Sequence, residues 1–177
     1  AGGLAHFALG FGSSALGTNE IVGTGTPVAA AGVTGAMQVT AGIGFSCALV
    51  GDGVQCWGGS GSRGELAPPT YSFNALAVGP DQACGLVYHG GFACAGATSA
   101  LTPAVRGYNA LSFGATSACG ITVDGRPHCW GAPLGTVPNE VLSEVSVGQA
   151  HACGLRIDGS AVCWGDNSFG QAEPPPQ

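Results

Sequence analysis

Cysteine, histidine and aspartate side chains, which can bind metals, exchange disulfides or transfer protons, stand together near the C-terminus. The stretch HACGLRIDGSAVCWGDNSFGQ, residues 151–171, contains Cys153, Cys163, His151 and Asp158. Such a set could form a zinc site, a redox pair, an acid–base site or one unit of a repeating structure. The choice among these decides what the sequence can say about function.

The same arrangement recurs along the chain, which favours a repeat. The leading cysteines of four pairs lie 37, 35 and 34 residues apart, and each partner follows nine or ten residues later. A glycine stands five residues before each leading cysteine, and a branched aliphatic residue stands two residues after it. The pairs are Cys47 with Cys56, Cys84 with Cys94, Cys119 with Cys129, and Cys153 with Cys163. A fixed period of this size is typical of solenoids and propellers.

A degenerate fifth copy opens the chain. Ala8 and Ala15 stand where the two cysteines would be, and their joint loss is what a mutually bonded pair predicts. We therefore expect a single repeat domain over residues 1–177. Its units run over about 1–37, 38–75, 76–110, 111–143 and 144–177, with a proline-rich tail at 172–177. The first residue is Ala1, and we expect a processed chain or a piece of a longer protein.

Each unit predicts three short strands. The apolar, alternating stretch before the glycine predicts the first strand, the leading cysteine begins the second, and the third contains the second cysteine. Turns such as Asp124-Gly125 predict hairpins that join the second and third strands. Residues 139–148 are the most helix-like stretch, but their end aligns with a strand of the other units.

The cysteine spacing predicts structural disulfides. Two cysteines that flank a tight hairpin lie nearly opposite each other, with Cα atoms about 4.5–5.5 Å apart, which overlaps the separation that a disulfide tolerates. We therefore predict four bridges within units, each closing a loop of about ten residues and stabilising the fold by roughly 2–3 kcal/mol. Structural zinc sites usually need C-x2–4-C pairs and redox sites need C-x-x-C, and neither spacing occurs in this chain.

The composition limits the partners. Only 8% of the residues are charged, the net charge is −6, and four arginines are the only basic residues besides histidine. So few cations exclude nucleic-acid binding, which requires the neutralisation of phosphates. The sequence contains no run of about 18 apolar residues, so no membrane span is predicted. The even number of cysteines suits an oxidising compartment, so we expect a secreted or extracellular protein.

The residues VSVGQAHACGLRIDGSAVCWGDNSFGQAEPP resemble the regulator of chromosome condensation type repeat. They are closest to its secreted, cysteine-bearing version, with the pattern G-x-x-H-x-C-x-L…D-G…C-W-G-x-N…G-Q. The resemblance is strong over the last unit, good over residues 38–75 and 111–138, and weak over residues 1–37 and 76–110. It implies a β-propeller in which each repeat forms or straddles one blade. The expected fold class is therefore all-β, with about five short three-stranded units in a small or incomplete ring.

Nothing in the sequence predicts catalysis. His6 and His151 share a repeat position, which favours a structural role. Asp52, Asp124 and Asp158 occupy equivalent turns, where aspartate favours the backbone geometry. We therefore expect a protein that is not an enzyme, with no catalytic, cofactor-binding or metal-binding residues. Three tryptophans share one repeat position, and we expect them to pack between neighbouring blades; an aromatic platform for sugar or peptide is the alternative. They are Trp57, Trp130 and Trp164.

The loops between units vary most, and such loops are where repeat scaffolds usually bind. The candidate binding residues are Arg63, Glu65, Tyr71, Arg106, Tyr108, Asn139, Glu140, Asp166 and Phe169. The favoured function is an extracellular, non-catalytic scaffold that docks a protein partner through loops on a propeller face. A structural component of a cell surface, wall or appendage is one alternative, and a carbohydrate-binding, lectin-like module is another. Self-association through open sheet edges is a further expectation.

Overall fold

The protein forms short antiparallel sheets. The structure, a computed structural model, describes residues 30, 32–42, 44–58, 71–80, 82–88, 91–96 and 107–175. Within these ranges the regular elements are twelve strands. The strands are β1 (Ala36–Ala41), β2 (Phe45–Val50), β3 (Gly53–Gly58), β4 (Phe73–Val78), β5 (Gln82–Val87), β6 (Gly91–Gly96), β7 (Tyr108–Phe113), β8 (Ser117–Thr122), β9 (Pro127–Gly131), β10 (Leu142–Val147), β11 (His151–Arg156) and β12 (Ala161–Gly165). The degenerate copy predicted over residues 1–37 lies almost entirely outside the described residues.

The strands pair into four three-stranded sheets, which we call blades 1 to 4 in chain order. Blade 1 is β1-β2-β3, blade 2 is β4-β5-β6, blade 3 is β7-β8-β9 and blade 4 is β10-β11-β12. Every pairing within a blade is antiparallel. The all-β fold class and the three strands per unit are confirmed, and the helix-like stretch 139–148 contains a strand, β10.

A β-bulge follows the first residue of each blade. The first strands start two or three residues before the predicted unit boundaries, at Ala36, Phe73, Tyr108 and Leu142. In each blade the register with the second strand shifts just after this first residue. A bulge interrupts the alternation of apolar residues, so the sequence pattern reveals each strand only beyond it.

The four predicted cysteine pairs are bonded. Disulfides join Cys47 to Cys56, Cys84 to Cys94, Cys119 to Cys129 and Cys153 to Cys163. In each blade the two cysteines are directly paired residues of the second and third strands. The disulfide therefore links the two strands of the hairpin at the middle of every blade, as the spacing predicted.

A large side chain packs over a glycine in three of the blades. A Cβ at Gly85 would lie 2.7 Å from Cγ of Phe73, and a Cβ at Gly120 would lie 2.7 Å from Cε1 of Tyr108. Phe73 and Tyr108 are each 1% exposed, so neither ring has room to move aside. Leu142 lies over Gly154 in the same way in blade 4.

Blade 1 replaces this pair with two small residues. Its first strand begins at Ala36, and Ala48 stands at the position of the glycine. Ala48 is fully buried, whereas Ala36 is exposed. In blade 1 the first residue of the strand therefore does not cover the second strand as Phe73, Tyr108 and Leu142 do in the other blades.

The apolar core lies between blades. We call the face of a blade toward the next blade its trailing face and the opposite face its leading face. Cys47 and Leu49 on the trailing face of blade 1 form one cluster with Leu76 on the leading face of blade 2. Cys119 and Ile121 of blade 3 pack in the same way against the leading face of blade 4, where the contact residues are Leu142 and Val145.

Hydrogen bonds also join neighbouring blades. The Gln38 side chain of blade 1 accepts a bond from the Leu76 backbone N–H (2.7 Å) and donates one to the Leu76 carbonyl (2.9 Å). The Ser112 hydroxyl of blade 3 accepts a bond from the Val147 N–H of blade 4 at 3.0 Å. These polar contacts fix the register between blades, which apolar packing alone specifies weakly.

We predict that Gly85 and Phe73, whose ring lies over that glycine, are energetically coupled. Gly85→Ala should lower the free energy of unfolding by about 1–3 kcal/mol through overpacking, and Phe73→Ala by about 3–5 kcal/mol through the cavity that it leaves. The double variant recreates the alanine pair of blade 1 and should lose less than the sum, by about 0.5–3 kcal/mol. Urea unfolding of the four proteins measures this coupling.

The matched control for this cycle is Gly53→Ala, because a Cβ there meets only the Val50 carbonyl oxygen, at 3.7 Å. It should leave stability almost unchanged. Strict additivity of Gly85→Ala and Phe73→Ala would contradict the packing argument.

We also predict a measurable contribution from a single disulfide. Cys153→Ala with Cys163→Ala opens a loop with a sequence separation of 10 residues, which should lower the free energy of unfolding by roughly 2–3 kcal/mol in the chain-entropy model. The comparison is urea unfolding of the variant and the parent chain under oxidising conditions. A mass measurement that found eight free thiols in the folded parent would contradict the assignment.

Candidate functional site

The candidate binding residues do not form one cluster. Arg63, Glu65 and Arg106 lie outside the described residues. The structure describes Tyr71, Tyr108, Asn139, Glu140, Asp166 and Phe169. They lie in three regions. One is the core, the second is the end of the blades where a hairpin joins the second and third strands, and the third is the segment after β12.

Tyr108 is a core residue and leaves the candidate set. It begins β7, is 1% exposed and packs against Trp130 at a ring-centroid distance of 5.6 Å. Its hydroxyl is hydrogen-bonded to Nδ1 of His128 at 2.8 Å, and burial raises the pKa of the phenol. The sequence placed Tyr108 in a loop because the bulge after it hides the true start of the strand.

Tyr71, Asn139 and Glu140 lie near the hairpin end of the blades. Tyr71 is 59% exposed and meets Phe73 edge to face at 6.3 Å. The Asn139 carbonyl oxygen accepts a bond from Arg126 at 3.3 Å. These residues therefore brace the connections that lead into β4 and β10.

Glu140 forms a two-point ion pair with Arg156. Nε and Nη2 of the arginine donate to the two carboxylate oxygens at 2.7 and 3.1 Å. The hydrogen bond from Arg156 lowers the pKa of Glu140, and the same bond raises that of the arginine. Both side chains are about one third exposed, at 37% and 33%, so water screens much of this attraction.

The segment Asp166–Glu173, which we call the C-terminal loop, is held by its own side chains. The Asp166 carboxylate accepts bonds from the Ser168 hydroxyl and from Nε2 of Gln171, the latter at 2.6 Å. Nδ2 of Asn167 donates to Glu173 at 2.8 Å. The loop begins at the opposite end of the blade from Glu140, because the Asp166 N–H donates to the Ala150 carbonyl at 2.8 Å.

Phe169 projects from this loop. Its backbone N–H donates to the Gln171 side chain at 2.8 Å, while its ring is 92% exposed. A fully exposed aromatic ring on a segment held by side-chain hydrogen bonds is a surface that another molecule can bury at small entropic cost. Phe169 is therefore the strongest of the sequence-predicted binding residues.

Three aspartates of the turns and the C-terminal loop, Asp124, Asp158 and Asp166, are held as carboxylates by hydrogen bonds. The Ser168 hydroxyl bond is the main reason why the pKa of Asp166 is lowered. Thr122 lowers the pKa of Asp124 in the same way, and Ser160 lowers that of Asp158. Groups of this kind stay ionised at neutral pH and are poor proton donors. Among the described residues no group of three or more His, Cys, Asp or Glu side chains is placed to hold a metal.

Two of the tryptophans pack inside the protein. Trp164 is 6% exposed and lies against Leu134, in the connection between blades 3 and 4. Trp130 is half-buried, and its ring lies near Phe113 of the same blade at 6.3 Å. Both tryptophans pack against other side chains, and packing between blades is confirmed for Trp164, which joins residues of blade 3 in one cluster.

The trailing face of blade 4 was missed by the sequence reasoning. Leu155 is 37% exposed there, whereas its equivalents Leu49, Leu86 and Ile121 are 3%, 3% and 2% exposed. The sequence does not reveal this difference, because every copy has an aliphatic residue at the position; it arises because blade 4 has no successor among the described blades to cover its face. None of the described residues forms a helix long and apolar enough to cross a membrane.

Comparison with known proteins identifies the repeat. Residues 143–171 match the family model described as Regulator of chromosome condensation (RCC1) repeat. No curated protein sequence matches the chain significantly. The solved structures include several propellers that superpose well on the chain.

Two of these structures are receptor ectodomains. The CRINKLY WD40 ectodomain of the Arabidopsis thaliana receptor kinase ACR4 is 27% identical, with a TM-score of 0.61 over 72% of this chain and 49% of that one. The entire ectodomain of the Physcomitrella patens receptor kinase CR4 is 31% identical, with a TM-score of 0.62 over 72% of this chain and 38% of that one.

A third structure shares the fold at lower identity. Prp20p from Saccharomyces cerevisiae, described together with its binding to Gsp1p and histones, is 17% identical, with a TM-score of 0.58 over 76% of this chain and 45% of that one. At this identity the likeness concerns the fold alone. The chain spans less than half the length of each of these three structures.

We predict that the ion pair of Glu140 contributes to the acid sensitivity of the fold. A lowered folded-state pKa stabilises the protein above the ordinary glutamate value of 4.5, and this contribution is lost as the pH falls through the folded value. Glu140→Gln should therefore flatten the dependence of unfolding free energy on pH in this acidic window. Arg156→Gln should flatten it at least as much, because Arg156 also lowers the pKa of Asp158, and adding Glu140→Gln to that variant should change little further. Urea unfolding over a pH series measures this, and an unchanged slope in Glu140→Gln would contradict it.

Proposed function

We propose that the chain, whose residues 143–171 match the RCC1 repeat, is a secreted, non-catalytic scaffold that docks a protein partner through loops at the ends of its blades. The repeat and the structural neighbours support a propeller of the kind found in binding proteins.

Secretion is supported by the covalent structure. All eight cysteines are paired, one disulfide in each blade. Disulfides of this kind persist in oxidising compartments and are rare in the cytosol. Two of the similar structures are ectodomains of receptor kinases. This similarity also favours an extracellular location.

A binding role is supported by the chemistry of the surface. Asp124, Asp158 and Asp166 have lowered pKa values because each carboxylate accepts hydrogen bonds within its own turn or loop. Only 8% of the residues are charged, so long-range electrostatic attraction contributes little to association. We infer that affinity comes from shape and apolar contact at a few positions.

Phe169 is the observation that carries the proposal. Its exposed ring, with Tyr71 at 59% exposure, belongs to the residue types that dominate protein interfaces. The C-terminal loop presents Phe169 on a fixed base, where a partner would bury the ring without first ordering the segment. Prp20p, which shares the fold, is described with its binding to Gsp1p and histones, and we therefore choose proteins as the first ligand class to test.

We predict that Phe169→Ala weakens binding by at least about tenfold, the effect of losing a central aromatic contact. The chain would be presented to a panel of purified secreted proteins and ectodomains from its source organism, and binding would be measured by biolayer interferometry. Ile157→Ala is the matched control, because Ile157 is 77% exposed in a hairpin outside the C-terminal loop, and it should bind as the parent does.

Two results would count against this function. A partner that binds Phe169→Ala and the parent equally would remove the C-terminal loop from the site. A panel without any binder, together with a specific signal on a glycan array, would favour the lectin-like alternative.

A further inference from the structure

We propose that the trailing face of blade 4 binds the leading face of blade 1 in a second copy of the chain, so that copies associate head to tail. This inference concerns the faces of the blades and not their end loops. It is therefore independent of the function proposed above.

The trailing faces of the first three blades are all covered. Cys47, Cys84 and Cys119 are 0%, 1% and 0% exposed there. Their equivalent in blade 4, Cys153, is partly exposed, and Leu155 beside it is 37% exposed. Blade 4 therefore has the same apolar surface as the other blades, without a described neighbour against it.

Exposure alone does not single out this surface. Tyr88, Val123 and Ile157 share a hairpin position and are 57%, 67% and 77% exposed. They are exposed whether or not a blade follows them, which is ordinary for single surface residues. Leu155 differs, because its equivalents are buried wherever a next blade is present.

Polar groups on the same face are suitably placed for an incoming strand. Glu144 stands at the position of Gln38, whose side chain oxygen accepts a bond from the Leu76 N–H of the next blade. Ser146 stands at the position of Ser112, whose hydroxyl accepts a bond from the Val147 N–H. Both residues are exposed in blade 4. The face thus has an apolar centre and two hydrogen-bond acceptors in the arrangement that receives a first strand elsewhere in this chain.

The chain itself offers a suitable first strand. Val39 of β1 occupies the position of Leu76 and Val145, which are 7% and 6% exposed because each packs on the preceding blade. Val39 is 55% exposed. A second copy therefore presents a leading face of the same type as those that cover blades 1 and 3. The two surfaces differ from each other, so the contact is heterologous and either closes a ring or continues as a filament.

One substitution in the face gives the proposal a gain-of-function test. Nε2 of Gln38 donates to the Leu76 carbonyl, but a glutamate carboxylate at this position can only accept. Glu144→Gln should supply the missing donor and remove a charge from the contact. We expect this variant to associate about tenfold or more tightly than the parent.

The direct test is sedimentation velocity of the full chain over a concentration series. The parent should show reversible self-association. Leu155→Glu should abolish the self-association, because a charge would be buried in the contact without a partner. The variant should still fold, because the Leu155 side chain is already exposed in the single chain. Val39→Glu should abolish the self-association from the other side. Ile157→Glu is the matched control and should associate as the parent does.

Mixing distinguishes a head-to-tail contact from a symmetric one. The Val39→Glu chain keeps an intact trailing face, and the Leu155→Glu chain keeps an intact leading face. Neither should self-associate, but a mixture should form a one-to-one complex that grows no further. A symmetric contact between two trailing faces would instead leave the Val39→Glu chain able to self-associate by itself and would give no mixed complex.

Three outcomes would overturn the proposal. The first is a parent that stays monomeric together with a Glu144→Gln variant that does so. The second is a Leu155→Glu chain that associates as the parent does. The third is a monomeric parent whose unfolding temperature falls more with Val39→Glu than with Ile157→Glu. That result would show that Val39 is covered within its own chain.

Discussion

Contact between neighbouring blades is the constraint on which this structure depends. A sheet of three short strands has two faces and cannot bury either by itself. The two apolar clusters found among the described residues accordingly draw on two successive blades each. Stability is then nearly a sum of hairpins and interfaces, as in other stacked repeats. The cystine at the centre of each blade fits this arrangement, because it both closes the hairpin and lines the face that the next blade covers.

The close approach of blades explains the unusual composition. A Cβ on Gly42 would lie 2.9 Å from the carbonyl oxygen of Gly79 in the next blade, so the backbones meet with no space for a side chain. The two largest fully buried side chains of the described residues, Tyr108 and Phe73, lie over a glycine. Aliphatic residues, alanines and cystines fill most of the remaining contact between blades, together with Phe45 and Trp164. This leaves little need for charged groups, and the hydrogen bonds that order the surface are mostly those of serine, threonine, asparagine and aspartate within their own turns.

The periodic features of the chain could be predicted from the sequence, and the irregular ones could not. Cysteine spacing predicted all four bridges, because a hairpin of fixed length leaves one geometry for the pair. The true starts of the first strands were missed, since the bulge after residues such as Phe73 breaks the alternation. For the same reason Tyr108 was taken for a loop residue although its ring fills the core. The hydrogen bonds within Asp166–Glu173 were not predicted either. They join residues as far as six positions apart, which meet only because the loop folds back on itself.

Comparison of equivalent positions separates two kinds of exposed apolar residue in a repeat protein. The first kind, such as Val123 and Ile157, is exposed in every blade and reports only that hairpin tips face water. The second kind, such as Leu155, is exposed in one blade and buried in the others, and it therefore marks an interface that the fold repeats elsewhere. A single sequence cannot make this distinction, because all copies carry an aliphatic residue at that position. The structure makes it by assigning a neighbour to each face, and the faces left without one are where repeats of this kind can be joined.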